Sequence, residues 1–304
     1  MPLFFFLSGI TYNGEKHKQF KLLFIKKTQQ LLIPYLIFAV VLWLWDVACN
    51  VFRVFGRSGN INDCFKSFLG IFLQIRTTDY SIGVWFIPCI FVTFILLFLI
   101  TKLSKNRKVV YFTLSVLAFI IGVLYCTKVN KPLPWGIDAA FVAVFFMAIG
   151  NMLRTYLVGD ESRASKPKLF MILFINLVLT ILFAYLNFTV QGRTVGMWSN
   201  SYGNILFFLL GALSGILTIV SFSKILNIRF VTDIGENSIF YYGIHIIILE
   251  ALTFFTRFVP NIGNKVVDLV VTIVLLLITI VILKILYPFY KRIFNYVLKF
   301  VRDR

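Results

Sequence analysis

Leu169-Phe-Met-Ile-Leu-Phe-Ile-Asn-Leu-Val-Leu-Thr-Ile-Leu-Phe-Ala-Tyr-Leu-Asn-Phe-Thr189 contains no acid, lysine, arginine or histidine. At about 1.5 Å of rise per helical residue it is about 30 Å long, the thickness of a bilayer's hydrocarbon core. Lys166 and Lys168 precede it and Arg193 follows, so its charges stop where headgroups begin. Working outward from this segment, the same pattern recurs near 30–52, 82–101, 109–126, 136–153, 204–222, 238–256 and 266–287. Hydrophobic residues make up 60% of the 304 positions, more than a water-soluble fold can cover. The expected fold is all-α: a polytopic integral membrane helix bundle over 1–304, one domain with eight full spans. Pro2 to Tyr12 adds a short N-terminal helix that covers about half of the hydrocarbon core.

The cations fall between the apolar segments. Twenty lie in 13–28, 102–108, 154–168, 223–237 and the tail, and nine lie in the alternate connections, counting Arg53, Arg57, Lys66 and Arg76 as one of these. A positive excess on one side sets orientation, so the tail and the lysine-rich 13–28 segment are expected in the cytoplasm of a plasma-membrane protein. Lys284, inside the last segment, is expected to snorkel. Met1 then lies outside, and a missing upstream helix would bring the N-terminus inside and the total to ten spans. The net charge of +18 is thus explained by topology and lipid headgroups, and nucleic-acid binding is not expected. Four scattered cysteines without a C-x-x-C pair, and two histidines, exclude an ordinary Cys/His metal site. A Cys49–Cys64 disulfide stays open.

Ionisable groups inside spans are costly and often mark a site. Asp138 follows Pro134-Trp135-Gly136-Ile137 and is read either as a helix-start carboxylate favoured by the dipole or as an acceptor-site group. His245, in Tyr241-Tyr-Gly-Ile-His245, either bonds a neighbouring helix or serves the acyl or acceptor pathway. Glu250, five positions on, points about 140° away from it, so the two are not expected to pair. Trp85 opens a span as a belt aromatic or as part of the acceptor pathway, and Asn204 is a helix cap or a member of that pathway. The 64–72 stretch has the apolar pattern of an interfacial helix on the outer face.

Several short motifs, in this order, resemble the acyltransferase 3 family of membrane acyltransferases, particularly its fucose 4-O-acetylase-like branch. They are Met1-Pro-Leu-Phe-Phe-Phe-Leu-Ser-Gly9, Lys26-Lys-Thr-Gln-Gln-Leu-Leu-Ile-Pro-Tyr35, Val84-Trp-Phe-Ile-Pro88, Leu133-Pro-Trp-Gly-Ile-Asp138, Phe145-Phe-Met-Ala-Ile-Gly150 and Asn237-Ser-Ile-Phe-Tyr-Tyr-Gly-Ile-His245. The resemblance implies a ten-helix fold that moves an acyl group, usually acetyl from acetyl-CoA, onto a sugar hydroxyl of a cell-surface glycan or lipid-linked precursor. No bound cofactor and no metal are expected. The family's key histidine lies in its first helix and has no counterpart here, because the sequence begins at the second-helix motif. That leaves His245 and Asp138 as candidate catalytic groups, Lys27 as the donor-binding candidate, and Trp85, Asn204 and Glu250 as acceptor-pathway candidates. Where the family has Arg-x-x-Arg, this sequence has Lys27-Thr-Gln-Gln30, so one cation remains without the bidentate fork. The competing functions are a transporter or flippase of a lipid-linked sugar, and a non-catalytic membrane partner.

Overall fold

The structure is a computed structural model that describes residues 1–14, 19–54, 61–76, 83–105, 107–129, 131–158, 165–226, 228–256 and 265–302. Its helices are α1 (Pro2–Thr11), α2 (Phe20–Lys27), α3 (Ile33–Val51), α4 (Ile61–Leu73), α5 (Phe86–Ser104), α6 (Lys108–Lys128), α7 (Ile137–Met152), α8 (Arg154–Val158), α9 (Lys166–Gln191), α10 (Ile205–Ile225), α11 (Arg229–Glu236), α12 (Ser238–Thr256) and α13 (Lys265–Arg302). Among the described residues there is no β-strand. Seven helices are long and apolar enough to cross a membrane, or eight if α11 and α12, bent by 88°, are one span. The molecule is an all-α polytopic membrane bundle. Its chain divides into two compact units, Met1–Lys27 with Trp85–Arg229 and Thr28–Val84 with Phe230–Arg304.

In the first unit α7 is the axis. Ala139, Ala140, Val142, Ala143, Val144, Phe146 and Met147 are wholly buried, because small residues let neighbouring helices close on it. The tightest contact is with α1. A Cβ on Gly9 would lie 1.9 Å from the Met147 carbonyl oxygen, and one on Gly150 would lie 2.0 Å from that of Phe6. The two backbones therefore touch, and only glycine fits at either position. Phe5 locks α1 edge-on against Phe86 of α5, with ring centroids 5.0 Å apart. Helix α9 is the opposite case: Asn187 is its one buried residue among those described. It rests on α10, where Thr180 donates to Ser214 at 3.1 Å and Gly211 and Gly215 keep the approach close.

In the second unit α3 follows a π-helical turn, Thr28–Leu32. Pro34 explains the turn, since its ring would clash with the carbonyl four residues back, at Gln30, in regular α geometry. The helix thus begins at Phe20 rather than near residue 30, and Lys21, Lys26 and Lys27 lie on it rather than in a connection. Phe38 stacks on Tyr290 at 5.3 Å, and Phe240 closes the cluster at 4.8 Å from Tyr290. Gly243 leaves room for this, as its Cβ would meet the Phe38 ring at 2.4 Å.

Two expectations change here. Helix α4 exists, but it runs back along α3 instead of lying on the outer face: Trp43 and Phe68 rings meet at 5.1 Å, and the Tyr35 hydroxyl donates to the Ile71 carbonyl. Ile71 is buried by this contact, while Leu69, Phe72 and Leu73 stay exposed. Lys284, read as snorkelling, reaches Phe230 of the 223–237 connection, with its Nζ 5.4 Å from the ring centroid in a cation–π contact. Cys49 is a buried free thiol, which removes the disulfide. His17 lies outside the described residues.

Candidate functional site

Asp138 is the second residue of α7, in the first turn, where the helix dipole favours a carboxylate. It is 1% exposed, and it accepts a hydrogen bond from the Asn200 side-chain amide at 2.5 Å. The backbone around the pair is unusual. Trp135, Gly136 and Asn200 all have left-handed φ, 58°, 63° and 54°. That conformation is disfavoured for a side chain as large as tryptophan, so the fold must hold it in place. Cys89 does part of this by donating its S–H to the Gly136 carbonyl at 3.5 Å, and the Trp135 ring meets Phe91 at 6.0 Å. Trp85 is also buried here, with a ring atom 3.7 Å from where a Gly136 Cβ would stand. Two candidates 53 positions apart, Trp85 and Asp138, are thereby brought to one end of the first unit.

Asn204 is the N-cap of α10: its side-chain oxygen accepts from the Leu206 and Phe207 amides at 3.0 and 3.2 Å. Its own amide donates to Asn187, whose side chain in turn holds the Tyr202 carbonyl at 3.0 Å. This network shapes the 192–204 segment that carries Asn200. Asn200→Gly, which keeps the left-handed backbone and drops the amide, should lower stability by about 1.5–3 kcal/mol. Asn200→Ala should fall about 1 kcal/mol further through strain. Thermal unfolding in detergent checks both, and midpoints equal to wild type would show that the amide does not hold Asp138.

The opposite end of the first unit holds a cavity of about 490 Å³, where α5 ends, α6 begins and α7 ends. Arg107, Lys108, Tyr111, Asn151, Arg154 and Tyr156 are among its lining residues. Lys27 is not one of them; its ammonium sits 3.6 Å above the Phe94 ring instead. Sequence reasoning counted these three cations as orientation signals and missed the cavity. The alternation of charged connections was the available clue, since it places 102–108 and 154–168 on one side.

In the second unit His245 Nδ1 lies 2.8 Å from the Tyr242 carbonyl. A carbonyl oxygen only accepts, so Nδ1 carries a proton, and in the tautomer that this contact favours Nε2 is the basic nitrogen. Glu250 does not pair with His245; its carboxylate accepts from Trp45 Nε1 at 2.8 Å. Beside that bond lies an apolar cavity of about 390 Å³, with Cys49, Phe52 and Phe254 in its wall. Gln74 and Arg76 at the end of α4 are 1% and 5% exposed. Arg76, counted by sequence as a loop cation, is thus a buried guanidinium.

Asp138, Asn187, Asn200, Gln74 and Arg76 are thus buried polar groups within an apolar bundle, where such groups are costly and often mark a site. Neither a curated protein nor a solved structure matches the chain. The Acyl_transf_3 family model, described as an acyltransferase domain, matches residues 1–287. Because that match takes in both units, the chain belongs to the acyltransferase 3 family and is a membrane acyltransferase.

Proposed function

We propose that this acyltransferase moves an acetyl group from acetyl-CoA to a sugar hydroxyl of a cell-surface glycan or lipid-linked precursor. The observation that carries the proposal is the family match over residues 1–287, to which the motifs in the sequence add the sugar-acetylating branch. The charge asymmetry supports a plasma-membrane protein with its C-terminus in the cytoplasm, the side on which acetyl-CoA is available. In the reaction the sugar oxygen attacks the thioester carbonyl, its proton passes to a base, and coenzyme A leaves as the thiolate that takes up a proton. A sugar hydroxyl is a weak nucleophile at neutral pH, so the base matters. His245 Nε2 is our candidate, with the tautomer set by Tyr242. Asp138, Trp85 and Asn204 are assigned to the acceptor end on the strength of the buried carboxylate and its strained surroundings. Glu250, tied to Trp45, is assigned to the acceptor pathway of the second unit.

Purified protein in lipid nanodiscs, given radiolabelled acetyl-CoA and lipid-linked sugar, should produce an acetylated glycan. Movement of unmodified lipid-linked sugar without acetylation would instead establish a flippase, and neither activity would leave a non-catalytic partner. Lys27 is assigned to the donor: its charge is held on an aromatic face close to the basic connections. Lys27→Ala should raise the acetyl-CoA requirement several-fold at unchanged membrane abundance, and Gln30→Arg should lower it by restoring a second cation. An unchanged donor KM in both variants would reduce the segment to an orientation signal.

A further inference from the structure

The cavity of about 490 Å³ in the first unit has the size of a small-molecule site. Among its described lining residues, Arg107, Lys108 and Arg154 are cations and none is a carboxylate. Cations lining one cavity with no carboxylate among the described lining residues attract an anion placed between them. Two further features favour an anion. Arg107 and Lys108 are the N-cap and first residue of the 21-residue α6, so the unbonded first-turn amides and the positive end of the dipole meet the same opening. Arg154 is also fixed: its Nη1 donates to the Tyr12 carbonyl at 3.3 Å, to which Asn151 donates at 2.9 Å. That bond uses one of the guanidinium's five donors. Tyr111 and exposed Tyr156 supply aromatic surface on the same wall.

We infer that this cavity binds phosphate groups, and that their source is the nucleotide end of the coenzyme A donor. Phosphates would take charge-assisted hydrogen bonds from Arg107, Lys108 and Arg154, while the tyrosines offer a stacking face to the adenine. The choice of coenzyme A rests on the acetyl-transfer reading above; the phosphate chemistry does not. An anionic lipid headgroup would bring the same chemistry, and the experiment separates the two sources.

Full-length protein in phosphatidylcholine nanodiscs would be titrated calorimetrically with coenzyme A and with its form lacking the 3′-phosphate. Retention of phosphatidylglycerol would be followed by native mass spectrometry. Arg107→Gln and Lys108→Gln should each weaken coenzyme A binding about tenfold, and the double variant more, with Lys128→Gln at the other end of α6 as control. Loss of phosphatidylglycerol retention in the double variant with coenzyme A affinity unchanged would keep the phosphate site and transfer it to lipid. If neither ligand responds, the site does not exist. Acetyl transfer with the donor KM unchanged in both variants would overturn the site and leave the acetyltransferase intact. Residue-dependent coenzyme A binding by a protein that transfers no acetyl group would do the reverse.

Discussion

His245→Asn should lower the rate of acetyl transfer at saturating donor by about 10²–10⁴, the usual contribution of a positioned general base. Asparagine is the informative replacement because its amide can donate near the Nδ1 position, keeping the bond to the Tyr242 carbonyl while removing the basic Nε2. Membrane abundance and the thermal midpoint should therefore stay at wild-type values as turnover collapses. His245→Ala loses both functions and should also be less stable, which separates catalysis from packing. A His245→Asn protein that turns over normally would make the ring a structural element of α12.

The largest structural effect is expected at the contact of α1 with α7. Gly9→Ala and Gly150→Ala each place a methyl group about 2 Å from a backbone oxygen, where no rotamer change can relieve the overlap. The helices must separate, and Phe5 and Phe6, the buried aromatic residues of α1, lose packing in the process. A loss of about 3 kcal/mol per variant follows from overpacking a rigid contact. The two should not add, since a gap opened by the first methyl group already accommodates the second. Gly235→Ala, where nothing lies within 4 Å, is the control. Fluorescence-detected thermal unfolding decides, and a wild-type midpoint for either α1 or α7 variant would show that the helices do not meet there.

The spans were legible in the sequence because a bilayer imposes both a length and a composition, as the 169–189 segment shows at a glance. What covers an apolar face was not legible. The pattern around Phe68 and Ile71 is the same whether lipid or another helix lies against it, and only the Tyr35 and Trp43 contacts show that the cover is α3. Nor was burial of a cation: Arg76 follows an apolar run as any loop residue does, and the fold alone encloses it. The candidate site was legible in part. Asp138 and His245 stood out because charge is rare inside spans, yet Asn200 lies in an ordinary polar connection and owes its role to a left-handed backbone. The glycines of the two family motifs gave no sign that they face each other.

That contact also sets a timetable for biosynthesis. Gly9 leaves the ribosome about 140 residues before Gly150, which at roughly 5–20 residues per second is an interval of about 7–28 s. Through that time α1 exposes a bare backbone stripe to whatever surrounds the translocation channel. Its final surroundings cannot form until α7 arrives, so the nascent chain must either retain α1 beside the channel or re-admit it late. A slow codon stretch or a membrane chaperone acting between α5 and α7 would therefore change the yield of folded protein without altering a single contact in the finished molecule.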